Sequence, residues 1–303
     1  MTLSPVVALL LLGVGAPLIP GITTRTKAVF AGRRGAPVWQ LYADLWKLWR
    51  RGLVYSTTTT WVFRLAPVIL AATTLVAAAL LPLDGSTAIL AFAGDAVAFV
   101  YLLALGRFVL VLASLDTGSS FEGMGASREV AFASIAEVGL FVTIAGLAIA
   151  SHSLSLTLML GGGAPQATGR VPASAVLFAV SVFGLALAEC SRVPVDDPAT
   201  HLELTMVHEV MVLDNSGPDL ALILYSSALK LGLFAAIILA ILFPGARGSA
   251  WLSLGVLLSG FVVMGVAVGV VESMIARLRL PRVALYLAGA SALALFGLIL
   301  ELQ

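Results

Sequence analysis

Long apolar stretches, rather than a regular alternation of apolar and polar positions, set the pattern of this chain. Charges and Gly/Pro breaks separate apolar runs near residues 3–21, 62–83, 87–113, 129–150, 172–190, 218–243, 251–275 and 281–300. Each run is close to the ~20 apolar residues that a helix needs to cross a bilayer. The pattern predicts an all-α integral membrane protein with eight transmembrane helices in one membrane domain, 1–303, since no long polar stretch lies between the runs. No basic residue precedes the apolar start, Met1 to Leu12, which therefore reads as a permanent span and not as a cleaved signal peptide.

One stretch is amphipathic instead. From Pro37 to Arg51, the residues Gln40, Asp44, Lys47 and Arg51 recur at spacings of 4, 3 and 4 and form one polar stripe. Trp39, Tyr42, Leu45, Trp46, Leu48 and Trp49 cover the rest of the circumference, and Pro37 suits a first helical turn. A tryptophan-rich helix of this kind lies in the headgroup plane. It is either a plain surface anchor or a collar that docks a partner or borders a cavity entrance.

Composition narrows the class further. Of 303 residues, 60% are apolar and 11% charged, and the mean hydropathy is +1.07. Soluble proteins run at about 45–50% apolar and about 25% charged. A soluble globule and a disordered chain are both excluded, and a net charge of +1 argues against nucleic acid as a partner. The single cysteine, Cys190, rules out an intrachain disulfide and any cysteine-built zinc or iron–sulfur cage within the chain. Gly161-Gly162-Gly163 lacks the strand–helix setting of a phosphate loop and reads as a plain loop, and the pair Gly123 and Gly125 lacks the third glycine of a dinucleotide fingerprint.

Lysine and arginine set the orientation. With the N-terminus outside, the inner connections hold Arg25, Lys27, Arg33, Arg34, Lys47, Arg50, Arg51, Arg64, Arg128, Arg192, Arg277, Arg279 and Arg282, with Arg107 at the inner end of its span. Only Arg170 and Arg247 fall outside, and Lys230 sits in mid-span. Eight spans return the C-terminus to the outer side of a cell's inner (plasma) membrane.

Asp95, Glu137, Lys230 and Glu272 lie within the apolar runs, and Glu189 closes the fifth. Each would cost about 2.5–3.5 kcal/mol at a helix centre facing lipid, or on the order of 10–17 kcal/mol together. They must face one another, water or backbone groups. Several acids and a lysine in such a place make a polar axis suited to passing protons; the alternative is a set of hydrogen bonds that hold helices together. The most polar segment is the loop Ser191–Gly217. There Asp197-Pro198 reads as a helix N-cap and first turn, with helix to about Leu213. On that helix His201, Thr205, His208 and Glu209 share a polar arc, while Glu203 sits in the middle of the apolar arc and needs a polar partner in the interior. His208-Glu209 lacks the second histidine of a zinc-protease motif, since position 212 is Val.

These residues carry a resemblance. Glu189-Cys-Ser-Arg192-Val-Pro194-Val-Asp196-Asp197-Pro198, continuing to His201-Leu-Glu203-Leu, resembles the acidic inner loop of the complex I subunit 1 family, whose pattern is Glu-x-x-Arg-x-Pro-x-Asp followed by Glu-Leu. Arg128 followed by Glu137 resembles the family's Arg to Ser-Tyr-Glu element, with Ile-Ala before the Glu here. Arg33-Arg34-Gly35, then Gln40, Asp44 and Lys47-Leu48, resembles its first inner loop. The segments Leu115-Asp116 to Arg128-Glu129 and Asp196-Asp197 to His208-Glu209 are similar to the membrane subunits of formate hydrogenlyase and related group 4 nickel–iron hydrogenases. Two acidic positions of the quinone-enzyme loop are Ala199 and His201 here, which suits the hydrogenase branch.

The resemblance implies a subunit that holds no cofactor itself. It would anchor a soluble arm with a nickel–iron large subunit, an iron–sulfur small subunit and a ferredoxin-like iron–sulfur subunit, beside antiporter-like membrane subunits. It further implies Glu189, Asp196, Asp197 and Glu203 as an inner acidic entrance, and Glu137 and Glu272 as the intramembrane link. Lys230 would be a cationic partner towards the antiporter-like neighbour, and Asp95 a lesser member. Arg33, Arg34, Asp44, Lys47, Asp116, Arg128 and Arg192 would position or dock the loops. A quinone-site subunit of a complex I-type oxidoreductase and a purely structural anchor are the competing expectations.

Overall fold

A computed structural model describes residues 4–83, 87–161, 171–197, 206–243 and 250–303. Among these residues all regular structure is helical. The helices are α1 (Pro5–Gly15), α2 (Leu18–Phe30), α3 (Gln40–Trp49), α4 (Trp61–Ala79), α5 (Asp95–Asp116), α6 (Ser120–Ser151), α7 (Leu156–Leu160), α8 (Ala173–Glu189), α9 (His208–Met211), α10 (Gly217–Leu242), α11 (Ala250–Met274) and α12 (Leu280–Glu301). Six of them, α4, α5, α6, α10, α11 and α12, are long and apolar enough to cross a membrane. A seventh span results if α1 and α2, bent by 40°, are taken together, and α8 is an apolar helix just short of that length.

The element boundaries differ from the apolar runs in four informative places. The first run does not stop at 21: the chain bends at Pro17 and stays helical to Phe30. Pro17 has no N–H to give to the preceding turn, so the helix breaks there and restarts. The third run begins eight residues too early, because α5 starts only at Asp95, after Gly94 in a left-handed conformation (φ 92). Asp95 therefore opens its helix instead of lying inside a span. The fourth helix is longer than its run, 32 residues from Ser120, since the polar residues before 129 are helical as well. At ~1.5 Å per residue it is about 48 Å long, well beyond a bilayer's ~30 Å apolar core. In the loop after α8 most of the expected helix from Asp197 to about Leu213, residues 198–205, lies outside the described residues; Asp197 is not helical, and His208–Met211 form the single turn α9.

The amphipathic stretch does form a helix. α3 has no buried residue, and Trp39, Trp46 and Trp49 are exposed. It leans on α2 and α10, and the Tyr42 hydroxyl donates to the Val14 carbonyl. The remaining helices pack by small residues, as expected where backbones must approach closely without water to drive them together. Gly265 and Gly269 of α11 face Ile22 and Thr26 of α2, where an added Cβ would stand 2.8 and 2.6 Å from those side chains. Thr23 of α2 donates to the Gly265 carbonyl across the same seam. Phe178 of α8 fills the space above Gly146 of α6 and Gly297 of α12. The central helix is α10, with Leu229, Leu233 and Phe234 fully buried against its neighbours.

Candidate functional site

At one end of the bundle α2, α5, α8 and α11 finish and α4, α6, α10 and α12 begin. Every described basic residue except Lys230 belongs to this end. Its centre is Arg107 of α5, only 6% exposed. Three carboxylates converge on its guanidinium. Glu137 of α6 accepts from Nη1 at 2.8 Å, Glu189 at the end of α8 accepts from Nη2, and Glu129 of α6 lies 3.6 Å from Nε. Arginine suits this place because its fork serves several acceptors at once and it stays charged when buried. The two glutamates of α6 are eight residues apart, so both can reach one long side chain crossing from α5. The far oxygen of Glu189, Oε2, is buried without a hydrogen-bond partner.

Below this cluster, Glu129, Glu189, Ser191 and Asp196 line a small cavity. Its volume, about 10 Å³ counted as positions open to a water's centre, is room for roughly one water. Asp196 is fixed on its far side. Its Oδ2 accepts from the Val207 and His208 amides at 3.1 and 2.9 Å, its Oδ1 from the Asp197 amide at 3.0 Å, and Arg277 lies 3.0 Å from Oδ1. By taking the amides at 207 and 208, this carboxylate caps the start of α9 from outside. A second cavity, about 100 Å³ by the same measure, lies between α2, α3, α9 and α10 and is lined in part by Cys190, Arg192, His208 and Glu209. Burial pushes the His208 imidazole below its ordinary range; Glu209 opposes this, Lys230 adds to it, and Asp196 opposes it.

A second ion cluster joins α2, α11 and the loop. Glu272 of α11 lies 2.8 Å from Lys27 Nζ and 3.5 Å from Arg192 Nη1. Glu272 and Glu137, expected as one intramembrane link, thus belong to different clusters, because Glu272 sits almost at the end of α11 and not in mid-span. Lys230 is 8% exposed in the middle of α10.

Asp95, expected as a lesser member of the axis, stands apart. It is completely buried and accepts from the Leu156 amide at 2.6 Å, the Ser155 hydroxyl at 3.2 Å and the Phe92 amide at 3.4 Å. It satisfies an amide in the first turn of α7 that has no partner within that helix. Asp116 accepts from the Thr60 amide and hydroxyl at 2.6 and 2.9 Å and so ties the chain before α4 to the end of α5. Arg128 donates to the Met206 carbonyl at 2.9 Å and ties α6 to the chain just before α9. Arg33 and Arg34 are exposed, and Asp44 accepts from Gln40 at 2.9 Å with Lys47 3.8 Å away. Asp197 is partly buried beside Asp196, and Glu203 lies outside the described residues.

Sequence reasoning did not see Arg107 as a hub, and it met Glu129 and Glu122 only as members of the Leu115 to Glu129 segment, not as site residues. Glu122 is 1% exposed and accepts from the Asp214 amide at 3.2 Å. The available signal was the same one that marked Glu137: a charge within or beside an apolar run needs a partner.

Known proteins share both the sequence and this architecture. Residues 3–301 match the family model described as NADH dehydrogenase. The chain is 35% identical over 253 residues to hydrogenase-4 component C of Escherichia coli, covering 82% of this chain and 76% of that protein. It is 40% identical over 127 residues to formate hydrogenlyase subunit 4 of the same organism, covering 42% of this chain and 41% of that one. A chain in the structure of the membrane-bound sulfane sulfur reductase, an archaeal respiratory membrane complex, has the same fold at a TM-score of 0.82 and 19% identity, over 99% of this chain and 100% of that one. The acidic loop, the Arg128 element and the full-length match agree: the chain belongs to the NADH dehydrogenase family, the complex I subunit 1-like membrane proteins that include hydrogenase-4 component C.

Proposed function

We propose that this chain is the membrane anchor and proton-coupling subunit of a membrane-bound group 4 hydrogenase or formate hydrogenlyase-like complex. Electron transfer in a soluble arm would change the charge on the inner loops, and those loops would bias proton movement through the bundle. In physical terms this is a coupling free energy between two sites, carried by protonation. The observation that carries the reading is the convergence of Glu129, Glu137 and Glu189 on the buried Arg107, beside a water-sized cavity that reaches Asp196. Three acids around one cation supply places for a proton to move between.

In this reading the chain crosses the inner (plasma) membrane eight times: α1 with α2, then α4, α5, α6, α8, α10, α11 and α12. Both termini lie outside, and the basic end faces the cytosol under the positive-inside rule. α3 lies in the headgroup plane. Glu189, Asp196, Asp197 and Glu203 form the acidic entrance, Glu137 leads inward, and Lys230 on α10 is the cation next in line towards antiporter-like subunits. Glu272 with Lys27 and Arg192 fixes the loop against α2 and α11. Arg33, Arg34, Asp44, Lys47, Asp116 and Arg128 hold or present the loops to the hydrogenase large and small subunits and a ferredoxin-like subunit, which carry the nickel–iron centre and the iron–sulfur clusters.

Replacing Glu137 tests this. Glu137→Gln keeps the size and a hydrogen-bond acceptor for Arg107 but removes the titrating group. The expected result is a normally assembled complex whose redox turnover continues while proton movement into sealed vesicles is lost. Full proton movement in that variant would remove Glu137 from the mechanism, and failure to assemble would support the anchor reading instead.

A further inference from the structure

The charges around Arg107 do not cancel. Glu129, Glu137 and Glu189 set against Arg107 leave an excess of negative charge when all four groups are ionised. Like charges gathered on one cation oppose one another's ionisation. An added proton relieves that excess, and such a proton belongs to the set and not to any one side chain.

The geometry distinguishes the three acids. Glu137 and Glu189 occupy the two terminal nitrogens of the guanidinium, whereas Glu129 meets only Nε, at 3.6 Å against 2.8 Å for Glu137. Glu129 is thus the acid that Arg107 holds least firmly. It also faces the loop: with Glu189, Ser191 and Asp196 it lines the cavity that has room for one water. Asp196, across that cavity, is held in place by three amides and Arg277. Glu189 presents a buried Oε2 with no hydrogen-bond partner, an open acceptor within the same cavity lining.

Resting on the proton-coupling reading above, we infer that Glu129 is the carboxyl that loads and unloads the shared proton of the Arg107 cluster, exchanging it with the loop side through the one-water cavity. In the loading step an O–H bond of a hydronium in the cavity breaks and an O–H bond forms on Glu129, leaving a neutral water. Neutral Glu129 releases Nε, and Arg107 keeps its two firmer partners. In the onward step the Glu129 O–H bond breaks as one forms on Glu189 Oε2 or on Glu137, and ionised Glu129 returns to Nε. No electrons move. Arg107 acts as the positioning residue, since it sets which acids stay ionised.

The test uses the intact membrane complex containing this chain, in sealed vesicles with a pH-sensitive dye, and infrared difference spectroscopy of the same sample in light and heavy water. Glu129→Gln is expected to slow proton uptake per turnover at least about tenfold, the lower edge of what one acid–base group contributes, and to remove a protonated-carboxyl band present in the wild type. Glu129→Asp, which keeps the titrating group on a shorter arm, is expected to restore the band and part of the rate. Unchanged uptake and an unchanged band in Glu129→Gln overturn the inference. If Glu129→Gln does not assemble, Glu129→Asp decides alone: a raised solvent isotope effect on proton uptake supports the role, and a wild-type one overturns it. Glu137→Gln, run in parallel, separates the two levels. Loss of coupling there with a normal Glu129→Gln sinks only this inference, whereas normal coupling in both variants sinks the proton-coupling reading as well.

Discussion

α5 buries two charged side chains, Asp95 at its start and Arg107 just past its middle, and their surroundings are built on opposite plans. Asp95 at the start is one acid facing three donors, all of them neutral and two of them backbone amides. Arg107 nearer the finish is one cation facing three acids that arrive from two other helices. The first arrangement has a single satisfied state: every donor is fixed, and nothing is gained by moving a proton. The second has more acceptors than the cation can satisfy, so its protonation and its geometry can change together. Burial alone does not mark a functional charge; the balance of donors to acceptors around it does.

The largest expected effect comes from removing the hub. Arg107→Gln leaves three inward-facing carboxylates with one cation fewer, and breaking a buried ion pair in this way costs about 3–5 kcal/mol. The complex should fail to accumulate or should melt far below the wild type, read from its level in membranes and from thermal unfolding in detergent. A near-normal melting temperature would show that the acids are already neutral without Arg107 and would erase the contrast between the two surroundings.

Asp95→Ala sharpens the other half. It strands the buried Leu156 amide, at a cost of about 1–3 kcal/mol. Stability should drop by that amount while the ratio of protons moved to electrons passed stays at its wild-type value. A change in that ratio would place Asp95 on the relay after all.

The smallest effect concerns pH. His208 protonates less readily in the folded chain than its ordinary 6.5, because burial disfavours the cation. The unfolded chain therefore binds more protons in the window between the lowered value and 6.5, and stability rises with pH across it. The penalty is complete below the lowered value and absent above 6.5. Melting curves of the wild type and His208→Gln should converge at about pH 8 and separate, with the variant the more stable, towards about pH 5. Parallel curves would mean that His208 has ready access to water in the cavity it lines.

Much of the fold was open to reading because membrane helices announce themselves by length and apolarity, and α10, α11 and α12 start and end within a residue or so of their runs. What stayed hidden depended on contacts between distant positions. A run of apolar residues before Asp95 carries no sign that Gly94 turns the chain before the helix begins. Asp196 takes the amides at 207 and 208 and fixes where α9 starts, a contact that the residues around it do not announce. Arg107 looked like a boundary marker because a cation near the end of a run is usually one. Only the packing of α5 against α6, with α8 alongside, shows that it gathers acids from positions 129, 137 and 189. The loop motifs, in contrast, needed no packing to be recognised, and the full-length family match agrees with them.

The segment after α8 is fastened to the end of α11 and the turn that follows it by two ion pairs of opposite sense, Arg192 to Glu272 and Asp196 to Arg277, with the Leu278 amide donating to the Pro194 carbonyl between them at 2.9 Å. A plus and a minus on one segment therefore meet a minus and a plus on the other, like the teeth of a key in its lock. Sliding the segment by one tooth would set like against like, so it has one seat and no neighbouring one. Whatever pushes on it from the aqueous side must carry the last two helices along or break both pairs together.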